Sequence, residues 1–562
     1  MLLHFEKLVL LASLVNAAAV DNLAPRDATN APTVQLQNGS YYGRFNPTYN
    51  QDEFLGMPYA QPPVGDLRFR VPQPLDESWS EPKDATEYGY QCIGYGGDTW
   101  VLGNYISEDC LTVNVVRPHG LAPDAKLPVA FWIHGGGLTM GGGSDPRYNM
   151  SFIVQRSVEM GSPIVAVSIN YRLHSWGFLW GSEMQAEGAG NLAFRDQRLA
   201  LEWNSQNIAS FGGDPARVTI WGESAGARSV ASQLLAYDGR DDGLFQGAIQ
   251  ESGTGLTSTF TDIPAEGDPW QEYYDDIVEQ TNCTSASDTL QCLREVDVWT
   301  LSDIFNTSTN PGFGRYADGE FLTAPRDQLV REGKFVKVPL LIGTNFDEGT
   351  SQGQAGINTT EQWESYLTDQ GANNETVAVL SALYPDVPSL GIPAILDGRP
   401  SGSLARYGAM WKRVAAFAGD LNQQAGRRWF SRHWALADVP VYSYHFNVLV
   451  NGLGPAIGST HFQEVAFVFD NTQGKGYDTV VAVNPFANKP ESYAQLAKLM
   501  SSHWINFFNN QDPNSEDDPA NIVFDANKTE LAYTEVDDYR VEQIDYLIEK
   551  LFGDATLSDI ES

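Results

Sequence analysis

The sequence predicts an α/β fold in which a large, mostly parallel central sheet carries helices on both faces and long helical insertions. Two observations support this prediction. Continuous apolar runs, LPVAFWI at 127–133 and PIVAVSINY at 163–171, suit strands that are buried on both faces of a sheet. These runs alternate with helical segments, and strands that alternate with helices at this spacing form a parallel sheet covered on both sides.

The other elements follow in chain order. Residues 32–75 are rich in prolines and turn signals, so we expect an extended edge region there. Further strands are expected at 218–221, 245–252, 338–350 and 438–446. Helices are expected at 191–213, within the insertions 255–335 and 357–435, and at 539–552. The last helix is amphipathic, and Gly553 is predicted to be its C-cap.

The chain shows signs of export and of a single domain. Its 562 residues contain no internal repeat or low-complexity linker, which favours one large domain. An apolar run at 8–15, too short to span a bilayer, precedes Ala17-Ala18-Ala19, the small-residue pattern of a cleavage site. The carboxyl end, DATLSDIES, lacks the hydrophobic tail of a GPI signal. We expect a signal peptide at 1–19, one domain at 20–562, and a secreted, extracellular protein without a stable membrane anchor.

The net charge of the chain argues against two classes of binding partner. Lysine and arginine number 35 and aspartate and glutamate 71, which gives a formal net charge of −36 at pH 7. Nucleic-acid phosphates and anionic membranes would repel so acidic a surface, so we expect neither as a partner. The charge suits solubility in an acidic or extracellular medium.

Cysteines and glycosylation sequons indicate the same compartment. Four cysteines without a C-x-x-C pair suit two local disulfides in an oxidising environment and argue against a zinc site. Sequons of the form N-x-[ST] indicate glycosylation of a secreted protein. The cysteines are Cys92, Cys110, Cys283 and Cys292, and the sequons are at Asn38, Asn149, Asn282, Asn306, Asn358, Asn374 and Asn527.

The stretch VTIWGESAG at 218–226 places Ser224 in a G-x-S-x-G motif directly after a short strand. A serine held on a sharp strand-to-helix turn needs neighbours without bulky side chains, so glycines lie two residues before it and two after it. The motif also arises by chance in loops, so it needs partners elsewhere in the chain. A serine nucleophile requires a base, an acid that orients the base, and donors for the oxyanion.

Candidates for each partner occur in the order that such enzymes use, with a glycine-rich loop first, then serine, acid and histidine. His134-Gly135-Gly136-Gly137 follows a buried strand, and the amides of Gly136, Gly137 and Ala225 are candidate oxyanion donors. A second glycine triplet at 141–143 shows that this chain also uses such triplets as plain loops.

The acid and the base are expected after later strands. Asp347 and Glu348 both follow the strand that begins at 338, and by composition either can be the acid. Of eight histidines, His461 is the one that follows the serine and lies in a glycine-rich loop beyond a strand end. The others precede Ser224 or lie in helical or strand contexts.

Together, these motifs resemble the type-B carboxylesterase and lipase family, which includes the cholinesterases, and in particular its secreted fungal members. The resemblance covers nearly the whole mature sequence and implies the α/β-hydrolase fold. Several motifs in one order are far more specific than any one of them. The resemblance rests on the segments PYAQPPVGDLRF, SEDCLTVNV, WIHGGG, GTNFDEGT and THFQEVAFVF, and on residues 191–227, which include the strand-to-helix turn at Ser224, called the elbow below.

The resemblance implies a serine hydrolase that cleaves small carboxylic esters through an acyl-enzyme and requires no metal or cofactor. It implies Ser224 as nucleophile, Glu348 rather than Asp347 as acid, and His461 as base. Glu223 matches a glutamate that lies near the histidine. Further implied features are oxyanion donors at Gly136, Gly137 and Ala225, disulfides Cys92–Cys110 and Cys283–Cys292, and a structural ion pair of Arg68 with Glu108.

The choice of ester is less well defined. The short loop between Cys92 and Cys110 favours an open esterase over a triacylglycerol lipase, whose loop would be longer and act as a lid. Trp100 is a candidate pocket residue and matches a tryptophan that binds quaternary ammonium groups in cholinesterases. The residues at 349–352 lack the aromatics of a cholinesterase, which argues against choline esters. A noncatalytic adhesion or binding protein of the same fold is the alternative from another class, and the oligomeric state stays open.

Overall fold

The computed structural model describes residues 31–553, except for 98–104, 257, 261–268, 310, 315, 480–481 and 515–520. The predicted signal peptide at 1–19 and the predicted pocket residue Trp100 lie outside the described residues. Within them, no helix combines the length and the apolar character that a membrane crossing requires.

A sheet of eleven strands forms the centre of the molecule, in the spatial order β16-β15-β14-β13-β12-β11-β9-β10-β8-β4-β3. The seven strands from β15 to β10 in this order are parallel, and the strands beyond them pair antiparallel. The strands are β1 (Thr33–Gln35), β2 (Ser40–Tyr42), β3 (Arg44–Asn46), β4 (Gln51–Pro58), β5 (Lys83–Asp84), β6 (Gln91–Cys92), β7 (Ile106–Ser107), β8 (Thr112–Pro118), β9 (Leu127–Ile133), β10 (Val165–Ile169), β11 (Gly213–Glu223), β12 (Gly247–Glu251), β13 (Leu340–Asn345), β14 (Val441–Phe446), β15 (Asn521–Phe524) and β16 (Ala532–Glu535).

Helices cover the sheet and form the insertions. They are α1 (Met150–Glu159), α2 (His174–Phe178), α3 (Ser182–Ala186), α4 (Leu192–Asn207), α5 (Ala225–Gly239), α6 (Pro269–Gln280), α7 (Thr289–Glu295), α8 (Val298–Thr307), α9 (Arg326–Arg331), α10 (Gly349–Gln352), α11 (Thr360–Asp369), α12 (Asn374–Leu383), α13 (Trp411–Gly419), α14 (Ala425–Leu436), α15 (Val465–Val468), α16 (Glu491–Asn510) and α17 (Val541–Phe552). A π-helical turn, Asp420–Gln424, joins α13 to α14.

Each face of the sheet has its own hydrophobic core, as the continuous apolar strands predict. In β9, Val129, Phe131 and Ile133 face one core while Ala130 and Trp132 face the other. Helices α4, α5 and α14 cover the first face, and α1, α15 and α16 cover the second. Burial on both faces explains why these strands are apolar throughout rather than alternating.

The predicted α/β architecture is confirmed, but the two strands at one end of the sheet, β15 and β16, were not predicted. The interior strands fall within five residues of their expected bounds, and α17 ends at Phe552, followed by Gly553, whose φ of 68° suits a C-cap. Strands β15 and β16 were not expected, because each has four residues and a run this short gives a weak sequence signal. Strand β11 begins five residues earlier than expected because a register shift lets it pair with β9 from Gly213.

The insertion that carries α6, α7 and α8 packs as a separate cluster and is tied to the amino-terminal region. Disulfides join Cys92 to Cys110 and Cys283 to Cys292. Buried Arg68 donates two hydrogen bonds to Glu108, at 2.6 and 2.8 Å. Arg68 also donates to three backbone carbonyls at the end of α7, which secures the insertion against the edge of the domain core.

Candidate active site

The turn after β11 holds Ser224 in a backbone conformation that few side-chain-bearing residues adopt. Its φ is 58° and its ψ is −119°, and helix α5 begins at the next residue. The flanking glycines leave the necessary space. A Cβ atom on Gly226 would collide with the carbonyl oxygen of Ile133, and one on Gly222 would lie 2.5 Å from the carbonyl carbon of Gly226. Such strain persists only where the surroundings enforce it, and it is typical of functional turns.

Ser224, His461 and Glu348 form a continuous hydrogen-bonded chain. Nε2 of His461 lies 2.8 Å from Oγ of Ser224, and Nδ1 lies 2.8 Å from Oε2 of Glu348. The other carboxylate oxygen, Oε1, accepts from the hydroxyl of Ser252 at 2.5 Å and from the backbone N–H of Asn345 at 2.8 Å. Because a carboxylate only accepts, Nδ1 carries the imidazole hydrogen, and Nε2 is left to accept the proton of the serine hydroxyl.

The neighbouring acid, Asp347, is engaged elsewhere. Its carboxylate accepts the backbone N–H of Ser459 at 2.8 Å, and its own N–H donates to the carbonyl of Ser459 at 2.9 Å. Both acids follow β13, but successive side chains on this turn point in different directions. Composition leaves the two residues equivalent, whereas the turn brings Glu348 to the imidazole.

The glycine-rich loop after β9 lies against the elbow. A Cβ atom on Gly135 would be 3.1 Å from the Cβ atom of Ser224. Gly136 and Gly137 have φ values of 99° and 68°, which favour glycine. Among the described residues, the amides of Gly136, Gly137 and Ala225 have no hydrogen-bond acceptor within the protein. All three amides are therefore available to a ligand beside the serine.

The family model for the carboxylesterase family matches residues 30–546. The chain belongs to the carboxylesterase family. Lipase 4 of Diutina rugosa is 38% identical over 502 residues, which cover 82% of this chain and 85% of that protein. Secreted lipase 1 of Botryotinia fuckeliana (strain B05.10) is 34% identical over 501 residues, which cover 83% of this chain and 82% of that protein.

Among solved structures, EstA of Aspergillus niger matches with a TM-score of 0.75 and 27% identity, over 93% of this chain and 100% of that one. This carboxylesterase family member therefore has the α/β-hydrolase fold that its motifs imply. Membership also makes it a carboxylic ester hydrolase, as the sequence predicts.

Two further glutamates lie beside His461 and Glu348. Oε1 of Glu223 lies 3.3 Å from Nε2 of His461. Glu464 accepts from the side-chain amide of Asn345 at 2.5 Å and from the hydroxyl of Ser252 at 3.2 Å. Sequence reasoning identified Glu223 by resemblance but missed the other three residues. Glu464 follows His461 by three positions and Ser252 follows the end of β12, yet sequence position alone does not reveal that their side chains turn inward.

The carboxylates control the charge of the imidazole. Burial opposes the charged form, but the charges of Glu223, Glu348 and Glu464 outweigh it and raise the pKa of His461 above its usual range. Burial, together with the charge of Glu348, raises the pKa of Glu464 to about 7. Burial also raises the pKa of Glu223 well above its usual range, although attraction to His461 opposes the rise. The surrounding carboxylates therefore stabilise the protonated form of His461.

The remaining predicted residues lie away from this centre. Among the seven sequon asparagines, Asn38 and Asn149 are half-buried, and the exposed ones are Asn282, Asn306, Asn358, Asn374 and Asn527. Exposure is compatible with the predicted glycosylation, which stays a prediction. The predicted pocket role of Trp100 also stays a prediction.

Proposed function

We propose that this carboxylic ester hydrolase uses Ser224 as nucleophile, His461 as general base and Glu348 as the acid that orients the base. The observation that carries the proposal is the unbroken chain of 2.8 Å contacts from hydroxyl through imidazole to carboxylate. A nucleophile within hydrogen-bond reach of a base, which a third group orients, is the arrangement that activates a serine hydroxyl.

In the first half of the reaction, Nε2 of His461 takes the proton of Ser224 as Oγ attacks the ester carbonyl carbon. Glu348 stabilises the resulting imidazolium through Nδ1. The imidazolium then protonates the departing alcohol, and the acyl group stays on Ser224. In the second half, His461 deprotonates a water molecule that attacks the acyl-enzyme, and the carboxylic acid leaves as the hydroxyl regains its proton.

The oxyanion of both tetrahedral intermediates needs donors that are already in place. We propose the amides of Gly136, Gly137 and Ala225 for this role. Two observations support this role. The glycine-rich loop lies close to Ser224, and these amides have no other acceptors among the described residues. Donors that need no rearrangement stabilise the developing charge more effectively than water does.

The decisive experiment replaces the nucleophile. Ser224→Ala should lose hydrolysis of a p-nitrophenyl ester and labelling by a fluorophosphonate probe, while its thermal unfolding stays close to that of the wild type. Ser182→Ala, at an exposed serine of α3, is the matched control and should keep both. Undiminished hydrolysis by Ser224→Ala would contradict the proposal.

For the substrate, we infer an esterase that acts on dissolved esters, because only 18 positions separate Cys92 from Cys110. Triacylglycerol lipase activity is the second candidate, since relatives such as Lipase 4 are named lipases. Rates measured with a short-chain triacylglycerol across its solubility limit separate the two. A smooth saturation curve supports the esterase, and a rate increase on emulsification supports the lipase.

We also propose that residues 1–19 direct secretion. The support is the apolar run with its cleavage pattern and the name of a relative, Secreted lipase 1. Expression of the full chain in a fungal host should release activity into the medium, with a mature amino terminus near Val20. Retention of the uncleaved chain in cells would contradict this proposal.

A further inference from the structure

Two glutamates lie side by side on neighbouring strands beneath the serine. Strand β12 pairs parallel with β11, and Glu251 stands directly opposite Glu223 in the register. Paired residues of parallel strands direct their side chains to the same face, about 5 Å apart. Both side chains are buried, at 0% and 1% exposure. When two carboxyl groups are buried on adjacent strands, each charge raises the cost of ionising the other.

The contacts of Glu251 differ from those of Glu223. Oε1 of Glu251 accepts the indole N–H groups of Trp221 and Trp504, the latter at 2.6 Å. Among the described residues, Oε2 of Glu251 has no hydrogen-bond partner, and neither has Oε1 of Glu223. Glu223, by contrast, lies 3.3 Å from the imidazole of His461. The imidazole of His461, which favours a negative charge, therefore lies beside Glu223, while Glu251 receives hydrogen bonds only from neutral indoles.

The surroundings supply few positive charges for this pair. Besides His461, the titratable and charged groups near it are Glu348, Glu464, Arg147 and the phenols of Tyr444 and Tyr477. The guanidinium of Arg147 is already paired with Asp145 at 2.6 Å. Four buried carboxyl groups around a single imidazole therefore require at least one bound proton.

We propose that Glu251 is a positioning residue that keeps its proton throughout the catalytic cycle, so that Glu223 stays ionised beside His461. The proposal rests on the role of His461 as general base. A neutral Glu251 supplies the carbonyl oxygen that both indoles need and adds no charge next to Glu223. The negative charge of Glu223 then attracts the imidazolium at Nε2 while Glu348 does so at Nδ1.

Burial raises the pKa of both glutamates well above the usual range, but attraction to a positive charge, that of His461, opposes the rise for Glu223, whereas only hydrogen bonds oppose it for Glu251. Burial, reinforced by the charges of Glu464 and Glu223, raises the pKa of Glu251 well above its usual range. The two indole hydrogen bonds act against this rise. Burial also raises the pKa of the neighbouring Tyr444 well above its usual range, so the phenol stays neutral.

Infrared spectroscopy tests the proton directly. A protonated carboxyl group has a C=O stretch that is separate from carboxylate bands. At a pH of about 8.5, far above the usual pKa of glutamate and above the value of about 7 for Glu464, the wild-type enzyme should show this band. We expect the band to persist in Glu223→Gln and Glu464→Gln and to disappear in Glu251→Gln. Its absence from the wild type, or its loss in Glu223→Gln, would overturn the proposal.

The pH profile gives an independent readout that a purely structural role would not affect. Glutamine at 251 keeps the oxygen acceptor and stays neutral, so the acid limb of kcat/KM in Glu251→Gln should move by less than about 0.3 pH unit. Glu223→Gln removes a charge and should move that limb to lower pH by about one unit. An equal shift in Glu251→Gln would show that Glu251 is ionised and would refute the inference.

The two readouts separate this inference from the proposed function. The infrared band requires no turnover, so hydrolysis that survives in Ser224→Ala would contradict the catalytic assignment and leave the band unaffected. If Glu251→Gln does not fold, the spectra of the wild type, Glu223→Gln and Glu464→Gln still decide whether the proton is bound where the inference requires.

Discussion

Gly226 packs so closely against the carbonyl oxygen of Ile133 on the neighbouring strand that no side chain fits between them. We predict that Gly226→Ala displaces the elbow, lowers the free energy of unfolding by about 1–3 kcal/mol or more, and abolishes ester hydrolysis. Gly454→Ala is the control, because no atom lies within 4 Å of the added Cβ atom. Thermal unfolding and activity of both variants check this, and a fully active Gly226→Ala would show that the turn is not tightly constrained.

The two acids after β13 should differ sharply in their effect on turnover. Without a carboxylate at Nδ1, the imidazole loses the tautomer that the reaction needs, so Glu348→Gln should lower kcat by about 10³–10⁴-fold. Asp347→Asn, at the neighbouring acid that bonds to Ser459, is the matched control and should lose far less. Steady-state kinetics on one p-nitrophenyl ester decide the matter, and equal losses would argue against Glu348 as the orienting acid.

The charge of Glu223 should appear in the pH dependence of the enzyme. Glu223 helps to raise the pKa of His461, and the reaction needs the unprotonated imidazole as its base. Removal of that negative charge in Glu223→Gln lowers the pKa, so the acid limb of kcat/KM should move to lower pH. A shift to higher pH, or none, would mean that Glu223 is not ionised in the resting enzyme.

Arg68 should be a strong contributor to stability. Its guanidinium meets Glu108 and three backbone carbonyls in a buried site, and lysine cannot satisfy that set of acceptors. We expect Arg68→Lys to lower the free energy of unfolding by about 2–4 kcal/mol. Arg240→Lys, at an exposed pair with Asp242, should change it by less than about 0.5 kcal/mol. Denaturant unfolding of both variants tests the contrast.

Sequence patterns located the parts of the site with different success. Ser224 and the glycine-rich loop were found because strained turns exclude bulky residues and so leave glycines at fixed spacings. His461 was found by chain order. Ser252, Asn345 and Glu464 were missed, because a polar residue at a strand end or just before a helix is usually solvated, and nothing in its local sequence shows that it is buried.

The sequence by itself determined the α/β architecture, the strand-to-helix turn around Ser224 and the chain order of the proposed catalytic residues, because burial patterns and steric limits act over a few neighbouring residues. Tertiary structure decided which acid meets the imidazole and how many carboxylates share that space. Those outcomes depend on side-chain directions and on strands distant in sequence: Glu223 and Glu251 are 28 positions apart, yet the register of β11 and β12 sets them face to face.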